Sequence, residues 1–205
     1  PTQTVDTPSN VFNTFNSNNM PTGTVLENAG TTQAQSSNDQ GATGNLGFTK
    51  GKWYWELKCI NGLSESGIIL NPMVKSFGGL SFVTGVLNNT TIARMFNQTS
   101  TTNNFRAMGS LASTTVGASV TYAVGDIISV AVDADAGKIW FAQNGTYEGG
   151  GNPATGTSPT YDWSSNLSSV EYIIPFVYSG TGASTKAQFN FGNGFFGTTA
   201  VVSAG

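Results

Sequence analysis

Two carboxylates, Asp133 and Asp135, stand two residues apart beside a turn-forming stretch, Ala134 to Gly137. In extended chain this spacing points both side chains the same way, as in a carboxylate pair or a Ca²⁺ site. The competing reading, and the expected one, is that they shape and solvate a hairpin turn. A third carboxylate, Glu56, lies in the aromatic run Trp53-Tyr54-Trp55-Glu56-Leu57. There a raised pKa would suit it to acid chemistry, whereas a Glu satisfied by hydrogen bonds is the plainer expectation. A second set of candidates comprises the rings Phe105, Tyr147, Tyr161 and Trp163 and the only two arginines, Arg94 and Arg106. They fall in predicted loops, at strand ends or in the polar 88–121 stretch. Exposed rings stack on sugars or anchor protein partners, and Arg is enriched at binding hot spots. The alternative for each is a satellite covering the core.

The composition narrows the chemistry. The 205 residues include no His and one Cys. A His-dependent nucleophilic triad is therefore impossible within the chain, and neither a disulfide framework nor a Cys-based zinc site can form. No Gly-x-Ser-x-Gly elbow and no phosphate-binding Gly-x-x-x-x-Gly-Lys motif is present. A net charge of −3 with only 8 Lys and Arg disfavours binding to a phosphate backbone. No apolar stretch approaches the length of a membrane span. Charged residues are 9% of the chain, and Gly, Ser, Thr and Asn make up nearly half of it. With 13 Phe and 4 Trp, the chain is nonetheless rich enough in aromatics to fold around a core. The expectation is a protein that binds or builds, without catalysis, cofactor, nucleic acid or membrane.

These residues need strands to position them. Lys52 to Ile60 alternates with period two, placing Trp53, Trp55, Leu57 and Cys59 on one face and Tyr54, Glu56, Lys58 and Ile60 on the other. Asp126 to Asp133 is a β-branched run suited to a central strand. Ala134 to Gly137 turn the chain, and Lys138 to Gln143 return it antiparallel. Asn144-Gly145 then predicts a two-residue hairpin turn with positive φ at both positions. Further strands are expected at 24–26, 67–70, 80–87, 91–96, 172–178 and 186–191. Pro175 suggests an edge or a bulge. Residues 28–47 read as polar and turn-rich. Residues 1–21 read as an extended arm, tacked to a core by Val11, Phe12 and Phe15. No segment of ten or more residues has helical period. Many short strands separated by turns predict an all-β sandwich or barrel.

Several of these segments are similar to SPRY (B30.2-like) domains. Gly51 to Leu57 resembles their early signature strand. Tyr122 to Asp133, followed by Gly137 to Phe141 and Asn144-Gly145, resembles their central hairpin. Tyr172-Ile173-Ile174-Pro175 and Phe189-Asn190-Phe191-Gly192 resemble two later strands. The resemblance covers about residues 50–192 and is weak at 61–121. It implies an antiparallel two-sheet β-sandwich, a SPRY/concanavalin-like jelly roll over residues 22–205 with an extended N-terminal arm at 1–21. It implies that partners bind through loops at one end, and that the acidic residue at Glu56 has no catalytic role. Many members continue into a Pro-Gly-aromatic tail; this chain stops at Gly205, a departure that leaves both a fragment and an ordered portion of a longer chain open. The Thr/Asn/Gly-rich version, opened by Asp6-Thr7-Pro8-Ser9-Asn10-Val11-Phe12, resembles modules of tailed-bacteriophage structural proteins. That implies a virion fibre, decoration or tail appendage, trimeric if a fibre, docking a host-surface glycan or another virion protein. The competing expectations are a structural virion component without ligand, a cellular peptide-binding adaptor and a carbohydrate-active enzyme.

Overall fold

The computed structural model describes residues 12–18, 20–21, 23–35, 40–61, 64–70, 91–96, 105–108, 114–116, 122–179 and 184–201. Its strands in chain order are β1 (Thr24–Glu27), β2 (Thr32–Gln35), β3 (Gln40–Thr43), β4 (Lys52–Asn61), β5 (Ser64–Leu70), β6 (Thr91–Phe96), β7 (Phe105–Met108) and β8 (Thr114–Val116). There follow β9 (Ile127–Asp133), β10 (Lys138–Gln143), β11 (Thr146–Tyr147), β12 (Tyr161–Asp162), β13 (Ile173–Ser179), β14 (Thr185–Asn190), β15 (Phe195–Phe196) and β16 (Thr199–Ala200). The larger sheet runs β1-β2-β14-β4-β9-β10-β11, with β12 also on β10; the smaller runs β3-β13-β5-β6-β7-β8. The fold is an all-β antiparallel sandwich. Helical turns among the described residues are short and 3₁₀.

The core lies between the two sheets. Trp55 and Leu57 of β4, Ile128, Val130 and Val132 of β9, Ile139 and Phe141 of β10 and Phe189 of β14 face Ile68 and Leu70 of β5 and Ile173 and Val177 of β13. Period-two alternation accounts for this, because every second side chain of a strand points to the same layer. Cys59 is buried in the same pattern, as a small hydrophobe.

Residues 13–16 are stitched across this core. The Phe15 N–H donates to the Gly30 carbonyl at 2.8 Å, and the Asn45 N–H to the Thr14 carbonyl at 2.7 Å. The Phe15 ring meets Phe189 edge to face, with centroids 4.6 Å apart. Phe12 is half-buried, its ring seated against Gly192. The expected anchors Phe12 and Phe15 thus contact the domain, while Val11 and the strand expected at 80–87 lie outside the described residues.

Two expectations need correction, and Pro175 takes the second of its two expected settings: it lies beside a break in register, since Phe176 pairs with Thr43 but Ile173 with Phe48. Residues 28–47 contain strands β2 and β3 as well as turns. Their polar residues Thr32, Gln33, Gln40 and Thr43 are buried, so a hydrophobicity pattern cannot reveal them; pairing with β14 and β13 sets these strands. Trp53 shares the core-facing alternation but is 45% exposed. It stands one residue into β4, stacked on Phe48 at 4.7 Å, and its indole N–H donates to the Lys50 carbonyl at 2.7 Å. Pro175 lies in an inner strand, because β13 runs between β3 and β5. Its carbonyl accepts from the Gly44 N–H, and Ile173 exchanges hydrogen bonds with Phe48. The missing N–H therefore faces the gap between Gly44 and Phe48, where β3 has already ended, and no ladder bond is lost.

Phe15→Ala is expected to destabilise the domain by about 3–5 kcal/mol, read as a lower urea midpoint with unchanged slope. A loss within experimental error would mean that residues 13–16 are not part of the cooperative core.

Candidate functional site

The outer face of the larger sheet carries a trough. Its floor comes from small residues: Ala131 and Ser129 on β9 and Ala142 on β10. Cross-strand register places them side by side, with Ala131 opposite Tyr54 and Trp140, and Ser129 opposite Glu56 and Ala142. Larger side chains rise on either side, Tyr54 and Glu56 from β4 and Tyr147 from β11. Two adjoining hollows result, of about 380 Å³ and 530 Å³, and Tyr54 and Tyr147 line both.

Each wall is held by local chemistry. Tyr54 is 51% exposed, yet its hydroxyl donates to Glu56 Oε1 at 2.7 Å. With that one proton committed, the 3.0 Å contact between Tyr54 and Ser129 Oγ has the serine as donor. Burial raises the Tyr54 phenol, Ser129 pulls it back, and the bonded carboxylate of Glu56 raises it again, to about 12. Tyr147 is also raised, by burial and then by the charge of Glu56. Glu56 Oε2 faces Asn190 Nδ2 at 3.4 Å, so Glu56 is held by side-chain hydrogen bonds.

The Tyr147 wall depends on the Asn144-Gly145 turn. Both residues have positive φ, 48° and 81°, as a two-residue hairpin turn requires. The Asn144 side chain accepts from the Ile127 N–H at 2.9 Å and donates to Asp126 at 2.9 Å. Asp126 also accepts from the Ala123 N–H and from Gln143, each at 2.7 Å. Burial pushes the Asp126 pKa up, but the Ala123, Asn144 and Gln143 donors outweigh it and the net shift is downward.

The far wall of the upper hollow is the 148–160 loop, through Asn152, Pro153 and Ala154. The buried Trp140 indole N–H donates to the Thr157 carbonyl at 2.8 Å, and Lys138 Nζ to the Gly156 carbonyl at 3.1 Å. Trp140 thus lies beneath the loop and pins it in place.

Of the six candidate binding residues, Tyr147 lines the trough. Tyr161, on β12, is half-buried against the core, with its phenol raised by burial and by the Asp162 charge. Trp163 requires correction: it is 1% exposed, inside the core. Its backbone N–H donates to the Gly137 carbonyl at 2.8 Å. The 164–169 turn packs so closely on Gly137 (φ 69°) that a Cβ there would meet Ser164 backbone at 3.0 Å. Arg94 lies in β6 opposite Phe105 of β7, with Arg106 opposite Ala93; Phe105 begins β7, at a strand end as expected, and both arginines lie in strands of the smaller sheet.

Asp133 and Asp135 serve the hairpin. Asp133 Oδ1 accepts from the Ala136 N–H at 2.9 Å and Oδ2 pairs with Lys52 at 3.6 Å. Asp135 Oδ2 accepts from the Gly51 N–H at 3.1 Å. The trough residues Tyr54 and Ser129, and Asn190 that contacts Glu56, did not stand out in the sequence, although alternation does place Tyr54 on the face away from the core.

A two-sheet sandwich of this topology is a SPRY-like fold. Among solved structures, the chain is similar to the SPRY domain of human HERC1, with TM-score 0.61 and 16% identity, over 87% of this chain and 98% of that one. It is also similar to the stonustoxin structure, with TM-score 0.57 and 14% identity, over 88% of this chain; it spans 27% of the stonustoxin chain. No family model matches the sequence. No curated protein sequence matches it either.

The lowered Asp126 pKa has a definite sign. Its contribution to stability is present above the unfolded carboxyl pKa and is lost as pH falls through the lower folded value. Acid unfolding monitored below about pH 4 should therefore steepen in the wild type and flatten in Asp126→Asn. Equal slopes would show that Asp126 is not preferentially ionised in the folded state.

Proposed function

We propose that this domain is a non-enzymatic adhesion module of a phage virion that docks a cell-surface glycan in the outer-sheet trough. The observation that carries the reading is the pairing of Tyr54 and Tyr147 over a floor of Ala131, Ser129 and Ala142. Exposed rings offer flat apolar faces to sugar rings while keeping a polar edge in water. Ser129, Asn144 and Asn152 border the same space and supply the few placed polar groups that orient a bound ligand. Hydrogen bonds fix Tyr54, Trp140 and the Asn144 turn before any ligand arrives, so little ordering entropy is lost on binding.

The non-catalytic part of the reading is supported by the carboxylates. Asp133 and Asp135 are engaged by backbone N–H groups of the hairpin and of Gly51, and the trough contains no His because the chain has none. The phage setting is supported by the Thr/Asn/Gly-rich composition and by the opening Asp6 to Phe12 segment. Other virion proteins are the expected neighbours, with a trimer expected for a fibre component.

The test is binding of the labelled chain to bacterial cells, with and without periodate oxidation of their glycans. Saturable binding that periodate abolishes, and that Tyr147→Ala weakens about tenfold without shifting the thermal midpoint, is the expected result. Retained binding by Tyr147→Ala would place the ligand elsewhere. Binding to no strain, the natural host included, would leave a structural virion role. Trp163→Ala serves as the contrast: it is expected to cost about 3–5 kcal/mol of stability, so its effect on binding reports folding.

A further inference from the structure

We propose that the lower hollow of the trough recognises an alkylammonium cation, so that the docked glycan carries a quaternary or otherwise positively charged amine substituent. This rests on the trough being the ligand-binding face. The lower hollow, about 530 Å³, is bounded by Tyr54 and Tyr147 with Glu56, Ser129 and Asn144. Among the described residues, its one charged lining residue is the carboxylate Glu56. Two phenol rings beside a carboxylate form an electronegative enclosure, since aromatic faces attract cations through the ring quadrupole. A neutral sugar would use the rings and leave the charge without a partner; an acidic sugar would meet repulsion.

Among the described residues, no lysine is ion-paired with Glu56. Lys52 borders the upper hollow and pairs with Asp133 at 3.6 Å. Lys186 pairs with Glu27 at 2.6 Å. Lys58 shares the outer face of β4 with Glu56 but lines neither hollow. Among the described residues, Glu56 has hydrogen-bond contacts to Tyr54 and Asn190 and no ion pair. A carboxylate has about four lone-pair sites, so these two contacts leave acceptor capacity on Glu56. The influence of Glu56 on both Tyr54 and Tyr147 agrees with all three groups sharing one electrostatic environment.

The experiment is calorimetric or NMR titration of the full chain with choline, beside its uncharged carbon isostere. Choline is expected to bind and to compete for the cell-binding site. The isostere is expected to bind about tenfold more weakly. Glu56→Gln keeps an acceptor for Tyr54 and should weaken choline by a similar factor, with the thermal midpoint unchanged. Equal affinity for choline and the isostere, or full choline affinity in Glu56→Gln, would overturn the inference. If Tyr147→Ala abolishes cell binding but choline neither binds nor competes, the cation inference fails while the trough remains the docking face. If Tyr147→Ala leaves cell binding intact, the trough reading itself fails. Choline binding lost in Glu56→Gln would still support the cation site in that case.

Discussion

The β4–β9–β10 ladder is the constraint on which the rest depends. Each strand alternates strictly, so one register decides both layers at once. The register that sets Trp55 opposite Val130 and Val130 opposite Phe141 builds the inner core. The same register sets Tyr54 opposite Ala131 and Glu56 opposite Ser129 on the outer face. A slip of one residue would exchange the layers, driving Glu56 into the core and exposing Trp55. Burial of large side chains thus holds the trough in place, and Val132, which lines the upper hollow, is itself part of the core.

Turn chemistry fixes the ends of that ladder. Asp133 and Asp135 close one end, through Ala136 and Gly51. Asp126, Asn144 and Gly145 close the other and deliver Tyr147 to its place. The carboxylates that first suggested catalysis or metal binding are satisfied by backbone N–H donors. An ionised carboxylate accepting such bonds is stabilised in that form, and the lowered pKa of Asp126 reflects it. Glu56 differs because its bonds are to side chains and it borders an open hollow.

Much of the fold was legible in the residues. Alternation from Lys52 to Ile60, the β-branched run ending at Asp133 and the Asn144-Gly145 turn each carry a local physical signal, and the structure has them as expected apart from the exposed Trp53. β2 and β3 were not legible, because buried Thr and Gln leave no hydrophobic trace. Pro175 left an edge and a bulge both open, because the choice depends on which neighbour its missing N–H would have faced, and that is a property of two other segments. Trp163 misled because a polar sequence context suggests a surface, while the packing of the 164–169 turn on Gly137 carries the ring inward.

The candidate site was legible only in part. The chain by itself determined that strands would form, which residues could share a face, and that His-dependent chemistry was excluded. Tertiary structure decided that Tyr54 and Tyr147, 93 positions apart in sequence, stand on either side of the same small-residue floor. It also decided that Tyr161 and Trp163 turn toward the core. The reason is that spacing along one strand specifies a face, whereas a binding trough is defined across strands. Its width is set by hydrogen-bonded register between segments that linear spacing does not relate.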